Sequence, residues 1–374
     1  MTRIMMLGLR DVGGVQGGIE THVAALAPRL QKLGHDVMII ARTPYHRAQD
    51  QIPTVAIWCP KSARFETIVH SLFGVFYAAI KRPDILHIHA IGPGIVTPLA
   101  RLLGLRVVVT HHGKDYDREK WGGFARFVLR TGEALAARWA NHRIAISRAL
   151  TYDMNKAYSK PFQFIPNGVA PTGPSDETDH LNQWGLEPNE YILSVGRLVP
   201  EKRHIDLIQA TRQIRAAGKK LVIAGGADHD SSYAQKLHDL ALQEDNVILT
   251  GFVRGAPLRQ LFSHAALFCL PSSHEGLPIA LLEAMQYQLP IVASDIPGNL
   301  ELGLPARCYF KTSDLNALEH AIDNTLSEPA EKPDWAAHLQ PYDWDQIAEQ
   351  TAACYDQVLA GAVPKTLAAR SSGT

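Results

Sequence analysis

Seven residues separate Glu275 from Glu283 in the stretch Ser273-His274-Glu275-Gly276-Leu277-Pro278-Ile279-Ala280-Leu281-Leu282-Glu283-Ala284-Met285. A short apolar run, Ala265 to Leu270, precedes it and is closed by Pro271 and Ser272, the pattern of a buried strand. Pro278 suits a first helical turn, and Ile279, Leu282 and Met285 then recur at helical spacing. The stretch therefore predicts a loop that becomes a helix, with the N–H groups of Gly276 and Leu277 as orphan donors suited to an anion. Gly276 would let a ligand approach the backbone. Glu275 on the loop is placed to meet a ligand at the helix mouth. Glu283, about two turns along, would reach hydroxyls further down the same ligand.

A second constellation is Ser194-Val195-Gly196-Arg197-Leu198-Val199-Pro200-Glu201-Lys202. Arg197 and Lys202 follow a predicted strand over Tyr191 to Val195, at the strand end where open α/β sheets bind ligands. A planar guanidinium fork and a point-charge ammonium together suit a diphosphate leaving group. The plainer alternative is that these cations pair with Glu201 and Asp206 in the same segment. A third constellation is Thr110-His111-His112-Gly113-Lys114-Asp115 at another predicted strand end, with His87 and His89 ending a neighbouring strand. His111 is read as structural, and His87 and His89 as core or capping residues. These histidines lack a His-x-x-x-His helix or a cysteine partner, so no metal is expected there. Asp228-His229-Asp230 mimics a metal-binding Asp-x-Asp but reads as turn residues.

The elements that must hold these groups alternate throughout. Strands are expected at 2–8, 36–41, 55–58, 84–89, 106–110 and 142–147, with the segment 162–165 closing this half. Helices are expected over about 19–33, 66–80, 94–103 and 118–140, and the apolar segment Thr67 to Ile80 reads as a buried helix. After a Pro/Gly/Ser/Asp-rich passage reaching about 188 the alternation restarts, with strands at 191–195, 221–224, 247–249, 267–270 and 291–293 and a last helix over 343–360. This is the pattern of parallel, doubly wound sheets. It gives an α/β chain of two Rossmann-like domains: 1–170, 171–342, a C-terminal helix within 343–362 returning toward the first domain, and a disordered tail over 363–374. The first loop, Asp11 to Gly18, contains no clean G-x-G-x-x-G, and no acidic residue closes the next strand, which argues against a dinucleotide oxidoreductase.

Composition narrows the classes further. The chain has 374 residues, 46% hydrophobic and 20% charged, as in a globular protein of two domains. No window of eighteen apolar residues exists, and the N-terminus runs straight into a strand without a secretory leader, so a cytoplasmic location is expected. Four scattered cysteines read as isolated thiols. Net charge is zero overall, yet residues 1–170 hold 22 Lys and Arg against 11 Asp and Glu, or +11, and the remainder 15 against 26, or −11. The first half is thus expected to meet an anionic surface. Nucleic acid is excluded as that surface, because no zinc-finger spacing, RNA-binding aromatic strand or dense Arg/Lys run is present.

Glu-Gly-Leu-Pro with a second Glu at this spacing resembles the E-x7-E motif of retaining glycosyltransferases of family 4, which have the two-domain GT-B fold. Gly196-Arg197-Leu198 with Lys202 is similar to that family's G-R-L-x-x-x-K, and His112 with Gly113 and Asp115 resembles its H-G-x-D segment. The likeness runs from Gly17 to the last helix, although the Gly-Asp-Gly-Pro-like turn usual in the family is replaced by Ala224-Gly225-Gly226-Ala227-Asp228. It implies a cleft between the domains in which Arg197 and Lys202 hold the donor diphosphate. Gly17 and Gly18 let the first loop approach that diphosphate, and Gly276 and Leu277 bind it through their backbone. Glu283 accepts hydrogen bonds from the ribose, Phe252 and Val253 pack on the base, and Glu275 and His112 orient the hexose. The resemblance implies transfer from a nucleotide sugar, UDP- or GDP-linked, to a glycan or lipid-linked acceptor, without cofactor or metal. A sugar-nucleotide 2-epimerase and a non-catalytic sugar-nucleotide-binding protein are the alternatives. Arg118 to Arg143 sets Arg118, Lys120, Arg126, Arg130, Arg138 and Arg143 beside Trp121, Phe124, Phe127 and Trp139. Such a helix is expected to rest on the anionic inner face of the cell membrane.

Overall fold

Each half of the chain folds around its own parallel sheet. The structure, a computed structural model, describes residues 1–12, 14–46, 52–62, 65–118, 122–170, 172–212, 218–227, 231–327 and 332–361. Asp228-His229-Asp230, Lys120, Trp121 and the tail from 363 lie outside the described residues. In the first half β1 (Arg3–Leu7), α1 (Gly18–Lys32), β2 (Asp36–Arg42), β3 (Thr54–Ile57), α2 (Glu66–Lys81) and β4 (Ile85–His89) come first. A 3-10 turn (Pro93–Val96) then runs into α3 (Thr97–Leu102), followed by β5 (Val107–His111), α4 (Gly123–Trp139), β6 (His142–Ala145), α5 (Arg148–Ala157) and β7 (Gln163–Phe164). The strands pair in parallel in the order β3-β2-β1-β4-β5-β6-β7. The central strands are buried along nearly their whole length, because helices cover both faces of the sheet.

The second half repeats the plan with β8 (Tyr191–Val195), α6 (His204–Thr211), β9 (Lys220–Ala224), α7 (Ser232–Leu242), β10 (Val247–Gly251), α8 (Ala256–His264), β11 (Leu267–Leu270) and α9 (Ile279–Gln286). β12 (Ile291–Ser294), α10 (Pro297–Leu300), β13 (Tyr309–Phe310) and α11 (Leu315–Ser327) complete it. Its parallel order is β10-β9-β8-β11-β12-β13. After the short α12 (Ala336–Leu339), α13 (Trp344–Leu359) packs on α1 of the first half. Ile347 and Tyr355 of α13 share one apolar cluster with Val23 and Leu26. Strand order reverses between β1 and β4 in one sheet and between β8 and β11 in the other. At such reversals the loops leaving the strands diverge and open a crevice.

Several elements differ from expectation. The helix over 94–103 begins as a 3-10 turn, and the one over 118–140 begins only at Gly123, after a separate 3-10 turn at Asp115–Asp117. α5 has no counterpart among the expected helices; the Ser147 hydroxyl caps it by accepting from the Leu150 N–H at 3.2 Å. α2 is not a buried helix. Its small and polar face (His70, Ser71, Gly74, Ala78) faces the sheet, while Leu72, Phe73, Phe76 and Ile80 are exposed.

The halves are joined by directed hydrogen bonds. Gln16 Oε1 accepts the Gly226 N–H at 2.7 Å, and Asn167 Nδ2 donates to the Leu277 carbonyl at 2.9 Å. The Glu301 carboxylate accepts the Arg148 and Ala149 N–H groups, two of the donors that every helix N-terminus leaves unpaired, at the start of α5.

Candidate active site

The groups singled out in the second half converge on its reversal point. Arg197 follows β8 and lies on the loop that leads to a 3-10 turn at Pro200–Lys202. Glu275 lies on the loop leaving the adjacent strand β11. Lys202 Nζ donates to Glu275 Oε1 at 2.6 Å, with the two side chains only 15% and 14% exposed. A Cβ on Gly196 would lie 3.0 Å from Lys202 Cε, so the missing side chain there lets the lysine stem lie along the backbone. Burial opposes the charge of Glu275, but the Lys202 ammonium and its hydrogen bond, helped by Arg118, outweigh it and hold the carboxyl below its ordinary range.

Lys202 therefore does not take the local pairing with Glu201 or Asp206. Asp206 pairs with Arg203, and Glu201 is met by Arg118 of the first half at 3.6 Å. Lys202 is turned instead toward the neighbouring strand end.

α9 corrects the expectation in several details. It starts at Ile279, with Pro278 as the extended capping residue rather than in the first turn. The unpaired N–H groups of its first turn thus begin at Ile279, and Gly276 and Leu277 lie upstream of them. A Cβ on Gly276 would overlap the His112 carbonyl oxygen, so this glycine admits the backbone of the other half rather than a ligand. Leu277 is buried, and its carbonyl takes the Asn167 bond. Glu283 is the fifth residue of the helix, little more than one turn in. Leu281, Leu282, Ala284 and Met285 form the buried face, with Ile279 partly exposed. Burial raises the Glu283 carboxyl from 4.5 to about 7.

Gly17 and Gly18 differ from each other. A Cβ on Gly17 would overlap the Glu20 carboxylate, which is folded back to meet Arg10 at 3.1 Å, whereas one on Gly18 would meet nothing within 4 Å. Phe252 is exposed at the end of β10 beside Gly226, and Val253 packs against the core of the second half.

His112 follows β5 immediately and sits in a cluster of imidazoles at the reversal point of the first sheet. Its Nε2 is 3.1 Å from His89 Nδ1, and the His22 ring meets it edge-on at 4.9 Å between centroids. His22 Nδ1 is in turn 2.9 Å from Asn167 Oδ1. Behind them His87 bridges Thr110 and the Tyr355 hydroxyl, each at 2.7 Å, and stacks on His89. His111 points away and pairs with buried Glu133 at 2.9 Å. Burial lowers His22 to about 4 and holds His89 and His112 well below 6.5, in the latter two reinforced by their imidazole neighbours. One ring nitrogen each from His22, His89 and His112 lie within 4.8 Å of one another, close enough to hold a metal ion. Neutral imidazoles at this spacing fit such a role chemically.

Sequence reasoning misses His22, Asn167 and Gln16. Asn167 carries a signal, since it stands in the Pro166-Asn167-Gly168 punctuation after β7. It bonds both His22 and Leu277, linking the imidazole cluster to the loop that carries Glu275 and Gly276. His22 lies inside a regular helix and carries none.

The chain has relatives among known proteins. Residues 16–172 match the family described as Glycosyltransferase Family 4, and residues 176–346 that described as Glycosyl transferases group 1. Alpha-maltose-1-phosphate synthase of Mycobacterium tuberculosis is 27% identical over 390 residues, covering 96% of this chain and 100% of that protein. Among solved structures, a sucrose-phosphate synthase from Thermosynechococcus elongatus superposes with a TM-score of 0.82 at 22% identity, over 97% of this chain and 100% of that one. Anabaena HepE in complex with UDP-glucose gives 0.80 at 20% identity, over 96% and 100%. These likenesses show the fold. With both halves matched in the expected order, the chain belongs to the family 4 glycosyltransferases of the GT-B fold.

Proposed function

We propose that this protein is a retaining hexosyltransferase that takes its sugar from a nucleoside diphosphate donor and passes it to a glycan or lipid-linked acceptor. The observation that carries this reading is the Lys202–Glu275 pair, set with Arg197 at the β8/β11 reversal. Lys202 and Arg197 would take the diphosphate and offset the charge that grows on it as the glycosidic bond breaks, with no metal ion. Glu275, released from Lys202 by the incoming phosphate, would accept hydrogen bonds from hexose hydroxyls, and a neutral His112 would complete the sugar site. Glu283 would hold the ribose, and Gly226 and Phe252 would face the base. The acceptor attacks from the face the diphosphate leaves, and the leaving phosphate takes its proton, so that no side-chain nucleophile is needed. The UDP-glucose bound by the Anabaena protein supports a donor of this class.

Thermal melting with UDP, GDP and ADP tests the donor half of this reading. A nucleoside diphosphate at about a hundred times its dissociation constant stabilises the folded chain by about 2.7 kcal/mol, and the base giving the largest shift is the donor's. No shift with any of the three overturns the assignment.

A further inference from the structure

Seventeen large apolar side chains are exposed among the described residues, and eight of them fall on one layer of the first half. That layer is α2, α3 and α4, which pack around the 3-10 turn at Pro93–Val96 on the sheet face opposite α1 and α13. On α2, Phe73, Phe76 and Ile80 stand one turn apart and point to solvent, because Gly74 and Ala78 occupy the face toward the sheet. α3 adds Leu102, 76% exposed, and the first turn and a half of α4 adds Phe124 and Phe127, 79% and 67% exposed. The aromatics of α4 therefore do not complete a core. A globular chain rarely leaves apolar groups of this size gathered on one side unless something covers them.

The charge on the same layer says what covers it. Lys81, Arg126, Arg130 and Arg138 are exposed on these helices. The two carboxylates that the helices carry are turned inward, away from this surface. Glu66 is paired with Arg42 at 2.6 Å and Glu133 with His111 at 2.9 Å, and both are buried. The helices thus present aromatic and aliphatic groups among cations, with no exposed carboxylate on α2, α3 or α4. Groups spread over three neighbouring helices suit shallow insertion at a headgroup boundary, and the cations suit anionic headgroups.

We infer that the α2–α3–α4 layer is a docking face for an anionic phospholipid bilayer, with α2 at its centre. In a parallel sheet each crossover helix starts at the edge where its preceding strand ends. The N-termini of α2 and α4 therefore lie at the cleft edge of the first sheet, and a bilayer on this face reaches the same edge as His112. The docking itself does not depend on glycosyl transfer.

Co-sedimentation with vesicles of phosphatidylcholine alone and of phosphatidylcholine mixed with phosphatidylglycerol tests this, using the full chain. The wild type should partition onto the anionic vesicles and release as salt rises, and stay in solution with the neutral ones. Phe73→Ser with Phe76→Ser should lower partitioning about tenfold or more, and Arg126→Gln with Arg130→Gln several-fold. Nucleotide-induced melting shifts, measured on the same samples, should be unchanged, which separates a failed docking face from a failed donor site. Should the double serine variant misfold, Ile80→Gln, at a side chain 79% exposed, serves in its place. Equal partitioning onto both vesicles, none onto either, or no effect of these variants overturns the inference. So does a lipid-free dimer of the wild type that Phe73→Ser with Phe76→Ser converts to monomer, since the face would then join copies of the protein.

Discussion

Lys202 and Glu275, 73 positions apart, meet at 2.6 Å across the ends of two neighbouring strands. Under the proposed function each is the other's partner until a donor arrives, and the site would be held in shape by the charges it uses. Lys202→Met should lower kcat on the order of a hundredfold, the scale of losing one preorganised charge contact. It should also lower stability by about 3 kcal/mol, because Glu275 keeps a buried charge without its cation. Glu275→Gln should lose activity with a smaller loss of stability. Steady-state kinetics and urea unfolding of the two variants check this, and turnover within threefold of wild type in Lys202→Met contradicts it.

If Glu283 holds the ribose as proposed, nucleotide binding should depend on pH. Its carboxyl, raised to about 7 by burial, is mostly protonated at pH 5.5, while acceptance of ribose hydrogen bonds favours the carboxylate. Binding must then expel a proton below pH 7, so affinity should rise on the order of tenfold from pH 5.5 to 7.5 and level off above. Calorimetric titration with the nucleoside diphosphate should show this rise in the wild type and a flat profile in Glu283→Gln. A wild-type profile without slope contradicts the ribose assignment.

The histidines set a pH trend of their own on folding stability. His22, His70, His87, His89, His112 and His204 are all held below 6.5, first of all by burial. As pH falls below 6.5 the unfolded chain takes up protons that the folded one refuses, so stability drops from about pH 6.5 downward. Glu283 acts the other way between 4.5 and 7, but it is one group against six. Urea midpoints should fall steadily from pH 7 to pH 4.5, and the slope should shallow in His89→Gln.

A metal is not needed if Arg197 and Lys202 already offset the diphosphate. EDTA should leave the initial rate within about twofold of its starting value, far from the loss expected on removing a Lewis acid. A loss restored by zinc would assign an ion to His22, His89 and His112, and one restored by magnesium would return attention to Asp228 and Asp230.

Much of this architecture is legible in the sequence because it is local. Strand–helix alternation marks both sheets, and Gly196, Arg197, Lys202, Glu275 and Glu283 lie within two short stretches whose spacing carries their chemistry. The contacts that cannot be read act across long separations. Asn167 meets Leu277 110 positions away, Tyr355 meets His87 across 268, and Gln16 reaches Gly226 across 210. Gly276 misleads for the same reason: the atom that demands its missing side chain, the His112 carbonyl oxygen, belongs to the other half of the chain. α2 misleads because its apolar period is genuine but faces outward, while small residues meet the sheet. Hydropathy alone cannot tell a face that meets a core from one that meets another surface.

Incubation with a UDP- or GDP-linked hexose and a glycan or lipid acceptor, with quantification of every nucleotide and sugar species, tests the central claim most directly. The account predicts nucleoside diphosphate released in step with hexose appearing on the acceptor in the donor's own anomeric configuration, both lost in Lys202→Met. A new sugar nucleotide formed without release of nucleoside diphosphate, as an epimerase would give, contradicts it. So does a bound donor that is never consumed.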